Sequence, residues 1–152
     1  MTKLKHDPHR VQTQMRRIFE ELVPFNRVLG LRVASFDPQA PKVRFDMRPE
    51  LIGDPRRQIL HGGVISAVID VAAGFALHLA ILEREEPKAH IEFPNMGTVD
   101  LRVDYLRPGR GRYFEATARV VRLGSRIAVV HLEMANDAGE LIATGSAAYV
   151  VG

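Results

Sequence analysis

His61, Gly62, Gly63 and Asp70 are the residues of this chain whose types and spacing could do chemistry. The His-Gly-Gly triplet opens an apolar run from Val64 to Leu82, and Asp70 sits inside that run. Two glycines at a helix entry leave bare backbone N–H groups able to approach an anion or a polarised carbonyl. A carboxylate amid Val, Ile, Ala, Phe and Leu is costly to bury unless it has partners or a task. At helical geometry Asp70 follows His61 by about two and a half turns. An oxyanion site and a buried carboxylate on one helix point to acyl transfer.

The elements that must position these residues can be read from periodicity. The 64–82 run is apolar nearly all round, which marks a core helix. Its polar or small positions Ser66, Asp70, Gly74 and His78 recur every four residues. Each step rotates by only ~40°, so they form one slowly drifting stripe. Asp70 at mid-run would cost about 2.5–3.5 kcal/mol in a bilayer, and polar alternating strands follow, so no membrane span is expected. Upstream, Val11, Met15, Ile18, Phe19 and Leu22 predict an amphipathic helix over 10–23, stopped by Pro24, with 25–30 as a connector. Strands are expected over 31–36 and 43–47, then a loop with Gly53-Asp54-Pro55. Beyond a polar loop at 83–96 the period becomes two. Val99, Leu101, Val103 and Tyr105 form the inner face of one strand, Phe114, Ala116, Ala118 and Val120 that of the next. Ala128, Val130, Leu132 and Met134 line a third, and 141–151 closes as a fourth. Without repeats or linkers, residues 1–152 read as a single domain, with 1–24 as tail and amphipathic helix.

Composition narrows the chemistry. The chain has 152 residues and no cysteine, which removes disulfides, thiolate metal sites and cysteine nucleophiles. The absence of cysteine and of an apolar signal segment fits a cytoplasmic protein. Residues 1–30 hold six Lys/Arg against three acids, so the net charge of +3 belongs to the N-terminal segment. No tryptophan, three tyrosines and no helix-turn-helix pattern argue against nucleic acid as a partner. No pair of histidines has metal-ligand spacing, and no metal or cofactor is expected.

A single apolar helix is buried only if an antiparallel sheet curls around it. The order helix, two strands, long helix, four-strand meander gives an α+β hotdog fold of about six strands. Leu60-His61-Gly62-Gly63-Val64 with Asp70 nine positions after the histidine resembles the signature of the PaaI-like hotdog acyl-CoA thioesterases. So do the blocks from Gly97 to Pro108 and from Gly139 to Gly145; the likeness covers about Phe25 to Val151.

The resemblance implies hydrolysis of acyl-CoA, with Asp70 as nucleophile or as the base that activates water. Backbone N–H groups at Gly62 or Gly63 would hold the carbonyl oxygen, and Thr98 would orient the water. His61 by itself reads as fixing the loop through hydrogen bonds, with a general base as the alternative. The site would lie between subunits of a homodimer or homotetramer. Arg107, Arg110 and Arg126, with Arg56, Arg57 and Arg112, sit at turns where relatives hold CoA phosphates, and Phe75 flanks a possible acyl tunnel. Asp54 stands where many relatives carry asparagine. An acid there accepts only, unless protonated. That departure leaves a non-catalytic acyl-CoA-binding protein as a second reading. A hotdog hydratase or dehydratase is a third, though its histidine spacing is not met by His78.

Overall fold

A computed structural model describes residues 7–86 and 88–152. The expected N-terminal tail with Lys3, Lys5 and His6, and the loop residue Pro87, lie outside the described residues. Helix α1 (Pro8–Arg16) starts where the Asp7 carboxylate accepts from the His9 N–H, and Pro8 occupies a first-turn position. It widens into a π-helical stretch, Arg17–Leu22, and gives way to α2 (Pro24–Leu29). Pro24 therefore both ends one helix and opens another, and the connector expected over 25–30 is helical. A proline at the first helical position gives up only an N–H that would have no partner. Gly30, at φ 65, closes α2 in the left-handed region.

The remaining elements are β1 (Arg32–Ser35), β2 (Lys42–Asp46), β3 (Ile52–Asp54), β4 (Ile59–Leu60), α3 (Gly62–Arg84), β5 (Met96–Tyr105), β6 (Tyr113–Leu123), β7 (Ile127–Asn136) and β8 (Leu141–Val151). Six strands form one antiparallel sheet in the order β1-β2-β6-β7-β8-β5, and β3 and β4 form a separate small hairpin. The long helix lies mainly across β6 and β7. Small residues there, Ala116, Ala118 and Ala128, let it approach, and all three are fully buried. At Gly145 in β8 an added Cβ would stand 3.1 Å from Ile69 Cγ2 of the helix. Phe45 and Phe114, with ring centroids 5.3 Å apart, stack at the far side of the same core. This is the α+β hotdog architecture expected from the element order. By length and composition α3 could cross a bilayer, yet its apolar residues pack on the sheet.

One strand departs from simple alternation. Thr98 pairs with Tyr149 and Asp100 with Ala148, so Val99 is an extra residue in β5. The bulge throws Val99 out to 62 % exposure and puts Thr98, not Val99, on the face turned toward α3. Leu101 and Val103 keep the inward phase expected of them.

His78 is a core residue at 1 % exposure, between the rings of Phe19 and Phe93. Its Nε2 lies 3.1 Å from the Glu92 carbonyl oxygen, and its Nδ1 has no hydrogen-bond partner among the described residues. Burial pushes the imidazole down to about 4 from its ordinary 6.5, against the raising effect of the Glu92 carbonyl. Between those values the unfolded chain binds a proton that the native state refuses. The stability contribution is therefore full above pH 6.5 and is lost as pH falls toward 4. Between pH 7 and pH 5 it amounts to about 2 kcal/mol. His78→Phe should lose that much less stability over the same interval, as read by urea unfolding at the two pH values. Parallel losses in both proteins would show that His78 is not the group responsible.

Candidate active site

The entry to α3 is held by its own first side chain. His61 is the N-cap, and its Nδ1 accepts from the Gly63 N–H at 2.8 Å. The His61 carbonyl takes the N–H groups of Val64 and Ile65. Gly63, expected as an oxyanion donor beside Gly62, thus has its N–H already engaged. None of the hydrogen bonds among the described residues takes the Gly62 N–H. It remains free at the positive end of the 23-residue helix. Tyr105, at the end of β5, donates its hydroxyl to the Gly62 carbonyl at 3.0 Å and fixes the peptide from the other side.

The turn is also braced from below. The His61 N–H donates to the Leu51 carbonyl, and the Leu60 N–H to that of Gly109. A cleft of ≈ 350 Å³ opens beside Gly62, lined among others by Arg57, Ile65, Tyr105 and Arg107. Arg110 donates to the Arg57 carbonyl at 3.0 Å, and Arg107 to that of Leu141 at 2.8 Å. Arg112 is paired with Asp137, whose carboxyl that contact holds below the usual carboxylate range.

Two turns further along α3, Asp70 is half-buried at the flank of the helix rather than sealed in the core. Thr98 Oγ1 donates to its Oδ1 at 2.8 Å. Tyr149, the cross-strand neighbour of Thr98, places its hydroxyl 2.5 Å from the same Oδ1 and 2.8 Å from the Asp70 carbonyl oxygen. Burial and the bond to Asp70 push the phenol up, so it stays a donor. No hydrogen bond among the described residues engages Oδ2. The arrangement offers an oriented carboxylate with one oxygen held and the other open.

Three other expected site residues do not adjoin Asp70 within the chain. Asp54 Oδ1 accepts from the backbone N–H and the Nε of Arg56 and closes the β3–β4 turn, in the hairpin packed against His61. Phe75 is fully buried between Phe19 and Phe36. Five residues past Asp70, it points about 140° away around the helix. Arg126 is exposed at the β6–β7 turn, at the opposite end of the sheet from Arg107 and Arg110. The structure brings Asp70 to Thr98, and Gly62 toward Arg57 and Arg107. Tyr149 and Tyr105 are the partners the sequence reading passed over. Tyr149 left one usable sign: a phenol among Ala147 and Val151 on a buried strand face needs an acceptor.

Residues 57–143 match the Thioesterase superfamily. The chain belongs to that superfamily. The medium/long-chain acyl-CoA thioesterase YigI of Escherichia coli is 41 % identical over 134 residues, which cover 86 % of each chain. A Shewanella oneidensis protein related to the thioesterase superfamily superposes with a TM-score of 0.86 at 38 % identity, covering 97 % of this chain and 100 % of that one. A Bacillus halodurans protein solved with CoA has a TM-score of 0.58 at 29 % identity, over 73 % of this chain and 66 % of that one. The chain is thus a hotdog-fold thioester hydrolase, closely related to the PaaI- and YigI-type thioesterases.

In this thioesterase the hairpin under His61 leaves no room for a side chain at Gly53. A Cβ there would stand 2.5 Å from His61 Cα. Gly53→Ala should lower the unfolding free energy by about 1–3 kcal/mol, the usual cost of overpacking, seen as an earlier urea midpoint. An unchanged midpoint would mean that β3 does not bear on the helix entry.

Proposed function

We propose that the protein hydrolyses medium- to long-chain acyl-CoA thioesters at a site shared by two copies of the chain. The oriented Asp70 carboxylate, with Oδ1 bonded and Oδ2 open at the flank of α3, carries this reading. Asp70 Oδ2 takes a proton from a water that Thr98 helps to hold. The resulting hydroxide attacks the thioester carbon, and the carbonyl electron pair moves onto an oxygen held by the Gly62 N–H. Collapse breaks the C–S bond, and the proton on Asp70 passes to the CoA thiolate. Arg57, Arg107 and Arg110, beside the Gly62 cleft, suit the CoA phosphates. The likeness to YigI supports the chain-length class, and that to the CoA-bearing Bacillus halodurans protein supports the carrier. The reaction is assigned to the cytoplasm, in keeping with the absence of cysteine.

Two copies are invoked because of a distance. Gly62 and Asp70 lie eight residues apart on one rigid helix, roughly 12 Å by its rise. One carbonyl group cannot meet both. Strand β5 is an edge of the sheet, and its Val99 and Tyr105 are exposed. Pairing along it would bring Asp70 of one copy toward Gly62 of another. The non-catalytic reading rested on an unpartnered acid at Asp54; its Oδ1 is held by the backbone N–H and Nε of Arg56, which offset its charge. The hydratase reading needs a histidine at the carboxylate, and His78 is bound to the Glu92 carbonyl.

Asp70→Asn should lower kcat/KM for acyl-CoA on the order of 10²–10⁴-fold, the range for loss of a positioned base; equal release of CoA by both proteins would remove Asp70 from the reaction. A single turnover in ¹⁸O-water should label the free acid and leave Asp70 unlabelled. Label in Asp70 would instead make it the nucleophile.

The shared site has its own test. Gly62→Pro deletes the N–H while suiting the first helical position, since His61 before it is already extended at φ -64, ψ 133. Gly62→Pro and Asp70→Ala should each be inactive alone. Unfolded and refolded together, they should recover about a quarter of wild-type activity, because half the dimers then hold one intact site. No recovery would confine the site to one chain.

A further inference from the structure

We infer that Tyr149 is a positioning residue of the reaction: its hydroxyl clamps Asp70 Oδ1 so that Oδ2 is the atom presented to water. The inference rests on the role proposed above for Asp70 and adds what turns that side chain into a single-atom base. An aspartate on a helix flank can rotate about its Cβ–Cγ bond and exchange its two oxygens, because that torsion is broad and roughly two-fold. Here two hydroxyls converge on one oxygen, Thr98 at 2.8 Å and Tyr149 at 2.5 Å. Hydrogen bonds to an ionised acceptor are short and strong, and two on one oxygen hold the carboxylate plane against rotation.

The two donors are not equivalent. Thr98 is exposed, and its hydroxyl has lone pairs left to accept from a water. Tyr149 is 4 % exposed, and its ring is fixed in the core face of β8. Its hydroxyl also reaches the Asp70 backbone carbonyl at 2.8 Å. It therefore references the carboxylate to the helix backbone and the sheet together. The β5 bulge completes the pair by bringing Thr98 opposite Tyr149. Burial first and Asp70 second favour the protonated phenol, outweighing the opposite effect of Thr98, so the hydroxyl keeps its proton for the clamp.

A double-mutant cycle tests this. Tyr149→Phe keeps the ring and removes only the hydroxyl. It should lower kcat for acyl-CoA about tenfold with KM unchanged, since Tyr149 touches the carboxylate and not the substrate. In an Asp70→Asn background the same change should cost nothing further, because the two residues act as one unit. Restoring a hydroxyl with 3-fluorotyrosine at position 149 should restore kcat. Equal losses in both backgrounds, a changed KM with kcat intact, or no rescue by the fluorinated tyrosine would overturn the assignment. Should Asp70→Asn itself leave the rate unchanged, the role given to Asp70 fails and the clamp with it. A cycle that is additive while Asp70→Asn lowers the rate as expected rejects the clamp alone.

Discussion

A helix that is apolar on almost every side can be stable in water only if a sheet closes over it, and this requirement organises the whole chain. Short of its last turn, α3 offers no polar face to solvent except the narrow line through Ser66 and Asp70. The strands that cover it must curve, and the small residues Ala116, Ala118 and Ala128 let the helix come close where it crosses β6 and β7. Burial at about 25 cal/mol per Å² of apolar surface makes this the dominant favourable term. The groups that could do chemistry are the places where coverage stops: the first peptide of the helix and the one flank the sheet does not reach. The site is what remains open after the core has been satisfied.

The same rigidity sets the spacing of the chemistry. A helix fixes the separation of Gly62 and Asp70 as firmly as a covalent link, and its dipole favours negative charge at the Gly62 end. The supports of each group come from different elements. Tyr105 and the β3–β4 hairpin hold the entry turn, and the Thr98–Tyr149 pair holds the carboxylate. Both supports draw on β5, at its two ends. A strand otherwise marginal to the core thereby coordinates the two halves of the site.

Much of this was legible in the residues, and what was not has identifiable causes. The fold followed from one apolar run and three alternating strands, because periodicity records which face is buried. Asp70 and Gly62 stood out because a charge in an apolar run and a glycine pair at a helix start violate local expectation. Thr98 could be named from resemblance, but not its geometry: the bulge at Val99 inverts the alternation, and nothing local in Thr98-Val99-Asp100 announces an extra residue. Gly63 looked equivalent to Gly62 until the His61 ring was seen to cap it. Pro24 was read as a terminator although proline serves equally as an initiator. Phe75 was placed on the wrong side of the helix, and Tyr149's particular acceptor went unnamed, for one reason. Whether a buried aromatic faces the site or the core depends on pairing across the sheet, a long-range fact that no window of sequence holds.

The extra residue in β5 also bears on solution behaviour. A long, regular edge strand exposes a continuous row of N–H and C=O groups and invites any extended chain to pair with it, the route to fibrils. Here the row is interrupted at Val99, and the edge beyond it carries Asp100, Arg102 and Asp104 on its outward side. A strand that pairs there must accommodate both the interruption and these charges. An edge so interrupted can stay open to one correct partner without becoming a template for aggregation.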